Sequence, residues 1–166
     1  MTELNQPLDD QLREIKRRLR AAMNGVLSGT MRKNGVDYRV NFGVDQPRLA
    51  EIASEIPHTY ELAAALWKED IRELRLLAIM TMPQSDFDEE LAMLWMEQLR
   101  YAEEAQVLVL HLLQHRPYAS SMAFRLISSE VLIQRLVGWL LLGRLFMAGG
   151  RPYPPARGET AHPHVT

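Results

Sequence analysis

YELAAALWKEDIRELRLLAIM, residues 60–80, decides the fold. Leu62, Ala63, Leu66 and Trp67 recur at steps of three and four, and so do Ile71, Leu74, Leu77 and Ala78. Both sets trace one apolar face of an α-helix rather than the alternation of a strand. The charged break Lys68-Glu69-Asp70 separates them, so the stretch reads as two helices joined by a short turn. Thr59 stands where a hydroxyl caps the first helix and Asp70 where a carboxylate caps the second. Pro57 closes the element before and Pro83 lies just past the end, each unable to continue a helix.

The same logic extends outward in both directions. Upstream, Asp45 is placed as an N-cap and Pro47 in the first turn, with Leu49, Ile52, Ala53 and Ile56 on one face. Residues 26–42 hold glycines and no clear period, which predicts a loop with a short helix near 26–33. Before it, Leu12, Ile15, Leu19, Ala22 and Met23 predict an amphipathic helix over 9–24, whose other face is Arg13, Lys16, Arg17, Arg18 and Arg20. Downstream, Asp86 with Glu89 predicts a capped helix over 87–98, and further helices follow over 102–115, 118–129 and 130–147. ELAAALW at 61–67 is echoed by ELAMLW at 90–95, an internal repeat suited to stacked helical pairs that each bury a stripe against the next. The expectation is a single all-α domain over 1–148 with seven to eight helices. A Pro-, Gly- and His-containing tail over 149–166 is expected to be disordered or draped.

The last helix is apolar nearly all round, which calls for cover on more than one side. Either the Pro-rich tail packs over it or a second copy does, and a homodimer through Val131–Phe146 is expected; Trp139, followed by Leu140 to Leu142, reads as core. Gln134, Arg135 and Arg144 interrupt the run well short of the roughly 20 residues a membrane span needs, so no membrane partner is expected. The first residues show no basic start followed by an apolar core, so no signal peptide is expected. Absence of cysteine excludes disulfides and thiolate chemistry and fits a cytoplasmic location.

The formal charge of −2 is unevenly spread: residues 1–44 carry eight Lys/Arg against five Asp/Glu, and 45–110 carry five against fourteen. Basic ends permit a nucleic-acid surface without the strongly basic total of a dedicated binder. Lys16 and Arg17 on the first helix, with Arg100, Arg116, Arg125 and Arg135 further on, are the candidate phosphate contacts. His111 and His115 are four apart, a spacing that suits two imidazoles on one metal, but Leu-Leu-Gln lies between them and no carboxylate follows, so no metal or other cofactor is expected. There is no phosphate-binding glycine loop, nucleophile elbow or kinase signature.

Asn41-Phe42-Gly43-Val44, then Pro47, Leu49, Ile52-Ala53, Ile56, Glu61-Leu62-Ala63, Leu66-Trp67, and Arg72-Glu73 with Arg75-Leu76-Leu77-Ala78, together resemble the DNA alkylation repair proteins, the AlkD-like family built from HEAT-like repeats. The likeness covers about residues 40–115. It implies a right-handed, ARM-type solenoid with a concave cationic face for duplex DNA and, in active members, excision of alkylated purines by a glycosylase. Active members carry a Trp-Asp-x-x-Asp-like motif at the start of the helix after the second repeat, its last Asp stabilising the cationic sugar left as the base departs. The corresponding place here is 101–106, and Gln106 stands where that Asp falls. A neutral amide supplies no negative charge to an oxocarbenium-like centre, which argues against excision. Glu103 and Glu104 are the substitute carboxylates within reach of that position, Tyr101 the candidate aromatic wall; the competing reading of both glutamates is an acidic first turn favoured by the helix dipole. The alternative function is a non-catalytic helical scaffold for protein association.

Overall fold

The computed structural model describes residues 7–149, and these form nine α-helices and no strand beyond one isolated bridge. They are α1 Leu8–Ala21, α2 Gly25–Lys33, α3 Gln46–Glu55, α4 Tyr60–Trp67, α5 Arg72–Thr81, α6 Glu89–Glu97, α7 Ala102–His111, α8 Ala119–Leu126 and α9 Leu132–Met147. The all-α reading holds, and the helix beyond the expected seven to eight is the short α2. The tail expected over 149–166 lies, from residue 150 onward, outside the described residues. The chain divides into two compact units, Met1–Pro83 and Gln84–Thr166.

In the first unit α4 and α5 form the expected hairpin, with α3 packed on α5 and α1 on α4. Two of the caps stand where the sequence puts them: Asp45 accepts from the Arg48 N–H at 2.9 Å and Thr59 Oγ1 from the Leu62 N–H at 3.2 Å. The third does not. Asp70 does not cap α5, which starts at Arg72 with Ile71 as N-cap and no side-chain cap. Backbone replaces it: the Arg72 N–H donates to Val40 O at 3.2 Å while the Val40 N–H donates to Asp70 O at 3.2 Å. This two-bond bridge satisfies a helix-start amide that a side chain usually serves. Helix α5 buries nine of its ten residues, Arg72, Glu73 and Arg75 among them.

In the second unit α9 packs on both α7 and α8. The cap of α6 is Asp88, which accepts from the Leu91 N–H at 2.8 Å; Asp86, expected in that role, sits in a 3-10 turn at Gln84–Asp86. With Asp88 aligned on Thr59, the internal echo continues into burial: Ala63 and Ala92 are both fully buried, as are Leu66 with Trp95 and Trp67 with Met96 to within a few per cent. Helix α7 stops at His111 because Leu112 leaves helical geometry, at φ −120° and ψ −65°, and a 3-10 turn Leu113–His115 follows. His111 and His115 therefore do not share the single helix expected over 102–115. The Gly138 backbone lies so close to the end of α8 that an added Cβ would sit 2.7 Å from Ile127 N. Trp139, read from its neighbours as core, is 62% exposed. Val137, Gly138, Leu141 and Leu142 take the buried face of α9, and Trp139 falls on the other side. No helix among the described residues is long and apolar enough to cross a membrane.

Candidate functional site

Most of the side chains behind the family likeness meet in the first unit. The Arg72 side chain, 1% exposed, donates from Nη1 to Glu73 Oε2 at 2.6 Å and to Val44 O at 2.7 Å. The fully buried Glu73 accepts the Phe42 N–H on its other oxygen at 2.8 Å. Asn41 Oδ1 accepts the Gly43 N–H at 2.9 Å, and the Asn24 N–H donates to Phe42 O at 2.8 Å. Gly43, at φ +69°, approaches the start of α2 so closely that a Cβ would lie 2.1 Å from Asn24 O. Only glycine fits this turn. Across the hairpin, the Arg75 guanidinium stacks 3.8 Å from the centre of the Trp67 ring, a short cation–π contact. The segment 41–44 is thus pinned to α5 by a buried ion pair that also bonds the backbone at Phe42 and Val44. Its residues are occupied with each other, and what they supply is architecture.

The candidate catalytic positions sit at the start of α7 in the second unit. Glu104 is fully buried, and its Oε1 accepts the Arg100 N–H at 2.7 Å and the Tyr101 N–H at 3.2 Å. A carboxylate so placed caps the helix N-terminus through its side chain. Glu103 and Tyr101 are half-buried and Gln106 is exposed. The Arg100 guanidinium lies 5.2 Å from the Tyr101 ring centre and donates to its hydroxyl at 3.3 Å.

The candidate phosphate contacts divide between the units. On α1, Lys16 pairs with Glu69 at 3.4 Å and Arg17 with Glu14 at 2.6 Å. The Arg17 hydrogen bonds hold the Glu14 carboxyl down to about 2. In the second unit Arg125 pairs with Glu89, Arg116 lies half-buried 5.9 Å from the Tyr118 ring, and Arg135 is exposed on α9. A fully exposed pair such as Arg17–Glu14 is weak, so Arg17 can trade its carboxylate for a phosphate at little cost. Tyr118 itself is structural: its hydroxyl donates to Phe87 O at 2.6 Å, and burial pushes its pKa up. Burial lowers the pKa of His111, with His115 adding a smaller push in the same direction. Among the described residues no group of three or more His, Asp or Glu side chains is arranged to hold a metal.

Sequence reasoning missed the buried role of Arg72 and Glu73. The signal for it was present, because adjacent opposite charges at the start of a helix dominated by apolar residues have to pair or face water.

A chain all-helical over its described residues, with a buried Arg–Glu clamp in its first unit and a carboxylate-capped helix in its second, is the class so defined. The sequence profile of the DNA alkylation repair enzymes matches residues 15–145, and the chain belongs to that family. No curated protein and no solved structure matches it.

Proposed function

We propose that this protein is a cytoplasmic DNA-binding member of the family that recognises alkylated duplex without excising the base. The observation that carries the reading is at the start of α7, where Glu104 is committed to capping and the exposed position is Gln106. Losing a base leaves positive charge on the sugar, and a neutral amide at position 106 does little to stabilise it. Glu103, half-buried one residue from the cap, is the remaining acid in that turn. Tyr101 with Arg100 then serves as a stacking and phosphate-binding corner, and Lys16 and Arg17 on α1 act as backbone contacts. Arg116, Arg125 and Arg135 are proposed as phosphate contacts of the second unit in its own right. The helical pairs are read as a HEAT-like, ARM-type right-handed solenoid, supported by the α4–α5 and α8–α9 pairings and by the burial echo between α4 and α6.

Titrating alkylated and unmodified duplex at two salt concentrations tests the binding. Affinity should fall steeply with salt, as phosphate neutralisation requires. Failure to bind either duplex at low salt removes the reading.

A second reading, a helical scaffold that self-associates as a homodimer, is favoured by one observation of its own. Val131, Leu132, Trp139, Phe146 and Met147 are all at least half exposed along α9 and its N-cap. Apolar residues so concentrated mark association surfaces more often than isolated ones do.

A further inference from the structure

Helix α9 turns Val137, Gly138, Leu141 and Leu142 inward. Its outward positions run Leu132, Arg135, Trp139, Gly143, Phe146, all exposed. This order is symmetric about Trp139. Arg135 and Gly143 lie one turn to either side of it, and Leu132 and Phe146 two turns to either side. We propose that the stripe pairs with its own copy, two α9 helices running antiparallel across a two-fold axis at Trp139. This deepens the self-association reading and rests on it.

Antiparallel pairing sets each Leu132 against the partner's Phe146 and each Arg135 against the partner's Gly143. Nothing lies within 4 Å of where a Cβ on Gly143 would be, so the glycine leaves room for the long Arg135 side chain. That side chain then reaches the face of the partner's Trp139, a cation–π arrangement. A two-fold interface demands this kind of self-complementarity, in which residue i meets j and j meets i. Parallel pairing places two Arg135 guanidinium groups together and leaves the two glycines facing each other. The area is adequate. Leu132 is 73% exposed, Trp139 62%, Phe146 63% and the adjoining Met147 77%. With large side chains burying roughly 150–250 Å² each, two such faces together remove on the order of 1,000 Å², the lower bound for a specific interface.

The full chain contains no cysteine, so single engineered thiols report the geometry without background. Light scattering from micromolar to near-millimolar protein should show the mass rise from 19.1 kDa toward twice that value, and Trp139→Glu should hold it at the monomer. Under mild oxidation, Leu132→Cys mixed with Phe146→Cys should give a disulfide-linked dimer, and neither variant should do so alone. These positions are exposed, so folding should be unaffected, which circular dichroism checks.

If the chain stays monomeric throughout, both self-association and the pairing are wrong. If it dimerises but each single-cysteine variant links to itself, association stands and the antiparallel geometry is overturned. If dimerisation survives Trp139→Glu, the interface is elsewhere. If Trp139→Glu leaves the mass unchanged in free protein but abolishes duplex binding, the stripe serves nucleic acid and the pairing is overturned.

Discussion

Replacing Glu73 with Gln tests the buried clamp with a change of little more than charge. The amide oxygen can still accept the Phe42 N–H, now held at 2.8 Å, so the backbone contact survives. What disappears is the counter-charge of Arg72, which at 1% exposure has no water to turn to. Two unit charges about 4 Å apart attract by about 4 kcal/mol at an effective dielectric near 20. Removing one member of a buried pair typically costs ~3–5 kcal/mol, because the survivor is left uncompensated. We therefore expect Glu73→Gln to destabilise the first unit by about 4 kcal/mol, a large share of the ~5–15 kcal/mol that holds a domain together. Glu73→Ala should cost a further ~1–3 kcal/mol by orphaning the Phe42 N–H. Arg72→Met combined with Glu73→Gln should be less damaging than the sum of the two singles by about 1–3 kcal/mol, since neither charge remains. Urea unfolding followed by tryptophan fluorescence reads all four, with Trp67 as the reporter inside this unit. A loss below about 1 kcal/mol for Glu73→Gln, or strict additivity in the double variant, refutes the reasoning.

Gly43→Ala forces a positive φ on a residue with a Cβ and drives that Cβ into the Asn24 carbonyl. The expected cost is about 2–5 kcal/mol, read as a lower urea midpoint. Gly138→Ala should also destabilise, by about 1–2 kcal/mol, although alanine is the better helix former, because overpacking against Ile127 outweighs the propensity gain; an increase in melting temperature would show that the α8–α9 contact gives way easily. Glu104→Ala removes the acceptor for two backbone amides and should cost about 2 kcal/mol while leaving duplex affinity unchanged; lost affinity at unchanged stability would assign it to the DNA surface instead. Burial depresses the folded-state pKa of His111 below 6.5, so on acidification the unfolded chain takes up that proton first. Stability should therefore fall as pH drops from about 6.5 toward the lowered value and level off below it, and His111→Asn should flatten the trend in urea midpoints; a steeper fall in the variant contradicts the assignment.

How far the fold could be read from residues alone differed from one helix end to the next. Asp45 and Thr59 are local caps, set by the three residues that follow them, and the sequence shows them directly. Asp70 was misplaced because the group serving the start of α5 is the backbone of Val40, some thirty residues away, and no local pattern encodes it. Asp86 and Asp88 both precede an acidic first turn, and only the 3-10 turn at Gln84–Asp86 selects the second. Trp139 was misjudged from its neighbours in sequence, whereas a helix sorts residues by angle. Gly138, the residue beside it, marks where α9 closes on α8 and so turns Trp139 away. At the candidate site, the glutamates of the first turn were visible in the sequence, but the commitment of Glu104 to capping depends on how the chain enters α7 at Arg100 and Tyr101.

The chain belongs to the alkylation repair family, and the proposal of binding without excision rests on reading Gln106 at the family's Asp position, beside a Glu104 held by two backbone amides. The most direct measurement incubates methylated duplex with an excess of protein, at a salt concentration where the DNA is fully bound, and separates any free 7-methyl- or 3-methylpurine by chromatography. The account predicts bound duplex and no released base over the spontaneous background. Release above background that disappears in Glu103→Gln would show that the neighbouring acid performs the excision, and would contradict the central claim.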